Sequence, residues 1–138
     1  MISNPDVSFF SALADADMRL NNRIRNQAKE TLGLSSRLMG DAMGFRLDLL
    51  RRFPFGAGSL TEDREYGIYL VTQDVRVRFA SDAISAGQAV ARWRDATGQR
   101  MRWYAGVFDL QKRYWRPLLS TAWRSRSPAA LDCLLELS

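Results

Sequence analysis

"YGIYLVTQDVRVRF", residues 66–79, decides whether this chain is wholly helical or carries a β-hairpin. Ile68, Val71, Val75 and Phe79 would share one face of a helix. Val75-Arg76-Val77-Arg78-Phe79, however, alternates apolar and basic residues as a half-buried strand does. The residues just before favour the helix. Thr61 followed by Glu62, Asp63 and Glu65 reads as a helix start, with carboxylates against the positive end of the dipole. The neighbouring segments are also helical in pattern, so the stretch is read as helix and the fold as mainly α. A hairpin turning at Gln73-Asp74 remains the α+β alternative.

Working toward the N-terminus, residues 6–52 read as one long helix, or two in line. Phe10, Leu13, Leu20, Ile24, Leu34, Leu38 and Phe45 advance in steps of three and four, while Asp17, Gln27, Thr31 and Asp41 make the seam polar. Asp6 or Ser8 can cap its start, and Asp15–Arg19 and Asp48–Arg52 are i,i+4 pairs. Gly33, Gly40 and Gly44 weaken it by about 1 kcal/mol each relative to alanine. "FPFGAGS" stops it, giving a loop over 53–60.

Toward the C-terminus, Ser81-Asp82 caps a helix predicted to run to Thr97, with Gly98 as its stop. Residues 99–115 form the next helix, ended by Pro117. Met101, Tyr104, Phe108, Gln111 and Trp115 lie on one face of it, and Trp103, Val107, Leu110 and Tyr114 on an adjoining one. Tyr114 and Trp115 are expected to point inward. Ser127-Pro128 then opens a terminal helix through Leu137. The expected whole is one domain, 1–138: a long helix over 6–52, the loop, and a helical bundle over 61–138. At 138 residues it is long enough for a substantial core.

Charge is regional. Residues 1–91 are balanced, residues 92–126 carry net +7, and the last twelve carry −2. Arg92, Arg94, Arg100, Arg102, Arg113, Arg116, Arg124 and Arg126 are therefore candidates for a surface that meets nucleic acid or another acidic partner. The competing reading makes them a solvated rim around core aromatics. Leu20, Ile24, Leu34, Leu38, Phe45 and Trp123 are the candidate protein interface.

The chain has no histidine and one cysteine. That removes imidazole acid–base chemistry, Ser–His and Cys–His nucleophiles, disulfides, and zinc or iron–sulfur sites built from N and S ligands. Cys133, in a leucine-rich helix, is expected to be buried and inert. "FGAGSLT" lacks the Lys-Ser/Thr of a phosphate-binding P-loop. No catalytic, metal or cofactor residue is expected, nor any membrane span or secretory leader, which points to the cytoplasm or a particle assembled there.

The stretches "NQAKETLGLSSRLMGDAMGFRLDLL" and "FASDAISAGQAVARWRDATGQRMRWY" resemble, in rhythm alone, phasin-like proteins, small helical coats of polyhydroxyalkanoate granules. The dense tryptophan and arginine of the second half depart from that pattern.

These observations point to a non-enzymatic structural or adaptor protein acting by helix-mediated self-assembly. It would be a homo-oligomer, or a subunit among other proteins of a larger assembly such as a phage particle. Nucleic-acid binding through residues 92–126 is the alternative. An enzyme working with carboxylates alone would need Glu62, Asp63 and Glu65 to line a cleft.

Overall fold

A computed structural model describes residues 1–56 and 58–137. Ala57, in the expected 53–60 loop, and Ser138 lie outside the described residues. The mainly α expectation holds: helices occupy most of the described chain, and their only β feature is an isolated parallel bridge, Ile2–Gly87.

After a 3-10 turn at Pro5–Val7, α1 spans Phe9–Arg19. Ser8 caps it reciprocally: the Ser11 N–H donates to Ser8 Oγ (3.1 Å) and the Ser8 N–H to Ser11 Oγ (2.9 Å). The Arg19 guanidinium closes on Asp15 at 2.6 Å and holds that carboxyl below its usual range. A π-helical stretch, Leu20–Asn26, leads into α2, Gln27–Thr31.

There the long helix ends, and the expected continuation to residue 52 does not occur. Gly33 adopts φ +75°, a left-handed position that closes a helix. The chain beyond it finds other partners: Ser36 N–H donates to the Val77 carbonyl (3.0 Å) and Val77 N–H to Ser35 Oγ (3.1 Å). Only α3, Leu47–Arg52, returns to helix before the loop. The expected Asp48–Arg52 pair is replaced by Arg46–Asp48 at 2.6 Å.

Residues 66–79 divide between the two readings. Helix α4 spans Glu62–Thr72. Asp74 then takes φ 57°, and Val75 N–H donates back to the Leu70 carbonyl at 2.9 Å. Short polar residues tolerate this left-handed position best after glycine. Gln73-Asp74 is thus a helix end rather than a hairpin turn, and residues 75–79 run extended against residues 30–36. Arg76 donates to the Leu34 and Glu30 carbonyls (2.7 and 2.8 Å). Arg78 meets the Glu30 carboxylate at 2.6 Å and, with the Phe79 N–H, keeps that carboxyl below its ordinary range.

The predicted 81–97 helix is also absent. Ile84 is exposed and gives such a helix nothing to pack on. The backbone of residues 85–89 instead pairs with the N-terminal segment: Ser3 N–H donates to the Gly87 carbonyl (2.8 Å) and Ala89 N–H to Asn4 Oδ1 (2.8 Å). Neither Gly98 nor Pro117 stops a helix. Both lie inside α5, Trp93–Arg124, 32 residues long. Packing overrides both breakers, because Ala96, Gly106, Leu110, Leu118 and Thr121 are buried on either side of them. α6, Pro128–Leu137, opens as expected, with Ala130 N–H donating to Ser127 Oγ (3.3 Å).

Two cores result. Ile68 and Val71 of α4, Leu110 and Leu118 of α5, and Ala130 and Leu137 of α6 form one; Leu38, Phe53, Tyr66 and Leu70 form the other. α6 is also fastened by charge. The Lys29 side chain is 8% exposed, and its Nζ lies 2.7 Å from Asp132 and 2.8 Å from Glu136. Burial raises the Glu136 pKa, but Lys29, Arg37 and Arg25 together outweigh it and leave the carboxyl below its usual range.

Candidate functional site

A cleft of about 1040 Å³ lies between α1, residues 37–41, the start of α4, residues 88–90 and the first half of α5. Its lining is chemically mixed. Asp17, Asp41, Glu62 and Asp63 supply carboxylates; Arg37, Arg64, Arg100 and Arg102 supply cations; Trp103 and Tyr104 supply aromatic faces. Phe10 packs at 5.2 Å against Trp93, joining α1 to α5 beside it.

The α4 start is set tightly against α5. A Cβ added at Gly106 would lie 2.7 Å from both Cγ2 and Oγ1 of Thr61, so only glycine permits this approach. Asp63 is pinned by two backbone donors at 2.7 Å, the Gly40 N–H and the Arg64 N–H. Asp41 accepts from Ser85 Oγ at 3.0 Å. The side chain of Glu62 makes no hydrogen bond or ion pair among the described residues, and neither do those of Arg100 and Arg102. Arg64 is held below its usual range, first by burial and then by neighbouring Arg37, with Glu136 opposing. A cleft with unsatisfied cations and an unsatisfied carboxylate can hold a phosphorylated, hydroxyl-rich ligand.

The carboxylate triplet separates. Glu62 and Asp63 face the cleft, while Glu65 turns into the protein and accepts from Arg113 (2.8 Å) and the Tyr114 hydroxyl (3.2 Å). Burial and the Glu65 charge raise the Tyr114 pKa. Of the eight arginines singled out, Arg100 and Arg102 line the cleft. Arg113 is engaged by Glu65 and Asp109, and Arg116 lies over the Trp115 ring at 5.2 Å. Arg92, Arg94, Arg124 and Arg126 are exposed elsewhere. Trp115 is exposed, not turned inward as expected; Trp123 is 86% exposed. Leu38 belongs to the core and Leu34 and Phe45 are half-buried, so of the candidate interface only Leu20, Ile24 and Trp123 reach the surface fully. Burial pushes the Cys133 thiol up to about 11, in keeping with an inert group. Among the described residues no three His, Cys, Asp or Glu side chains cluster as a metal site would, and no helix is long and apolar enough to cross a membrane.

The model of Glycosyl transferase family group 2 matches residues 1–135. The chain belongs to that family. No curated protein and no solved structure matches it. Membership of a glycosyl transferase family overturns the expectation of a non-enzymatic structural, adaptor or granule-coat protein, and with it the nucleic-acid alternative. The error has a chemical source. Missing imidazole and thiol pairs exclude only the chemistry that uses them, whereas reactions at a sugar's anomeric carbon run on carboxylates. Sequence spacing could not reveal the site, because its carboxylates, cations and aromatics come from segments as far apart as Asp17 and Tyr104.

Proposed function

We propose that this chain is a glycosyl-transferring enzyme and that the cleft beside α4 and α5 holds its substrates. One observation carries the reading: the side chains of Glu62, Arg100 and Arg102, without partners among the described residues, line the same hollow as Trp103 and Tyr104. Arg100 and Arg102 suit a phosphate leaving group on the sugar donor, since guanidinium recognises phosphate through paired N–H donors. The aromatic faces suit the C–H side of a sugar ring. Asp63, fixed by its two backbone bonds, suits the sugar hydroxyls, and the unpaired carboxylate of Glu62 suits the role of general base.

In the transfer, the acceptor hydroxyl oxygen bonds to the anomeric carbon as the bond from that carbon to the phosphate oxygen breaks. Glu62 takes the hydroxyl proton, and the phosphate leaves with the bonding electron pair, its charge met by the two arginines. A reducing compartment such as the cytoplasm suits the lone Cys133 thiol.

The test is a transfer assay with a panel of phosphate-activated sugar donors, product being read by mass spectrometry. Glu62→Gln is expected to lower kcat about a hundredfold or more, and Arg100→Gln with Arg102→Gln to raise the donor KM. Absence of transfer from every donor, or full activity in Glu62→Gln, would refute the reading.

A further inference from the structure

A second, smaller cavity of about 30 Å³ lies between residues 35–38, α4 and α6. Ser35, Ser36, Arg37, Arg64, Cys133 and Glu136 supply its polar lining. Its size admits one small ion or a water or two. The charges around it do not balance. Lys29, Arg37 and Arg64 bring three cations and Asp132 and Glu136 two carboxylates, an excess of one positive charge. Arg25 also approaches Glu136, at 3.8 Å, but half of its side chain stands in solvent and is screened there. Asp63, next to Arg64 in sequence, is turned onto the Gly40 N–H. α4 adds only the uncharged Gly67, Ile68 and Val71 to the lining. Nor does Cys133 supply the missing charge, because burial pushes its thiol up to about 11 and keeps the proton on.

Donors are in surplus as well. Arg37 Nε is buried and meets no acceptor among the described residues. The half-buried Arg64 guanidinium donates to the Glu136 carbonyl across a long 3.4 Å. Ser35 Oγ accepts from the Val77 N–H at 3.1 Å, which leaves its own proton to donate. Burial and the neighbouring Arg37 both work against the charge on Arg64. A cation in excess at such a place is costly unless a counter-charge joins it.

We propose that this cavity binds one small monovalent anion of chloride size, held by Arg37, Arg64 and the Ser35 hydroxyl, and that the anion completes the docking of α6. Net charge sets the valence: one negative charge neutralises the cluster, and two would overshoot. Volume sets the size, since a phosphate ester or a carboxylate-bearing side chain is too large for the space. The Glu136 carboxylate on one wall repels the anion and confines it to the guanidinium side, where N–H and O–H donors meet it. The inference is independent of the glycosyl-transfer reading and survives its failure.

Thermal melting of the full chain in sodium gluconate, with chloride replacing gluconate at fixed ionic strength, tests it. Gluconate is too bulky to enter. Once chloride exceeds its Kd, each tenfold rise should lift Tm by about 4–7 °C. Arg37→Gln removes the excess charge and should abolish this dependence. Glu136→Gln doubles the excess and should move its onset to lower chloride. Bromide diffused into crystals of the parent should give an anomalous peak between Arg37 and Arg64, a readout that decides alone if Arg37→Gln does not fold. Equal melting in gluconate and chloride means that the cavity holds water, and overturns the inference. An undiminished chloride response in Arg37→Gln, or bromide peaks that miss the cavity, means an adventitious ion only and overturns it too.

Discussion

Two glycines of α5 should respond oppositely to the same substitution. Gly106→Ala places a methyl 2.7 Å from both branches of the Thr61 side chain. Those branches fill two of the three staggered positions about χ1, so turning Thr61 still leaves one in the way. Thr61 is buried and cannot swing into solvent. Overpacking of this kind costs about 1–3 kcal/mol, against a helix-propensity gain of about 1 kcal/mol. The net expectation is a loss of about 1 kcal/mol. Gly98→Ala meets nothing within 4 Å and keeps the full gain of up to about 1 kcal/mol. At about 3–5 °C per kcal/mol for a chain of this size, the two variants should melt about 6–10 °C apart, on either side of the parent. Thermal denaturation by circular dichroism reads this directly. Adding Thr61→Ala to Gly106→Ala should recover most of the loss, a coupling that a double-mutant cycle isolates. If both glycine variants stabilise alike, α4 and α5 do not approach as described, and the wall they give the cleft is wrong.

Lys29→Met should destabilise the fold by about 3 kcal/mol, seen as a lower urea midpoint, because it leaves the half-buried Asp132 and Glu136 without their shared cation. Since the folded-state pKa of Glu136 is depressed, its contribution is present above the unfolded carboxylate value of about 4.3 and lost as pH falls through the folded one. An acid titration of stability should therefore be steeper in the parent than in Glu136→Gln. Cys133 has the opposite sign. With its thiol raised to about 11, the native state retains the proton longer, so stability should decline as pH rises from about 8.5 toward that value. Cys133→Ala should flatten the decline, and the native thiol should react with a disulfide reagent far more slowly than the unfolded one.

Local signals in the sequence were readable where the structure is itself local. Ser8, the Asp15–Arg19 pair, the acidic opening of α4 and Ser127-Pro128 each act within one helical turn, and each stands where the spacing puts it. The misreadings arose where distant partners decide. Gly33 ends its helix because residues 35 and 36 are claimed by residue 77. The 81–97 pattern yields to backbone pairing with residues 1–4. Gly98 and Pro117 look like stops, but burial of Leu110 and Leu118 carries α5 through them. The cleft was least legible of all. Glu62 resembles any carboxylate in a first helical turn, and Arg100 any basic residue of a charged segment, until folding sets both against one hollow.

The extended run Val75–Phe79 has a consequence for solubility. Among the described residues its backbone pairs on one side only, which leaves an edge onto which another chain could zip. Two features guard it: arginines alternate with the apolar side chains, and Glu30 holds both Arg76 and Arg78 in place. Charges fixed at an edge work as gatekeepers against aggregation. Glu30, although it sits on another element, is thus part of what keeps the extended run from seeding fibres.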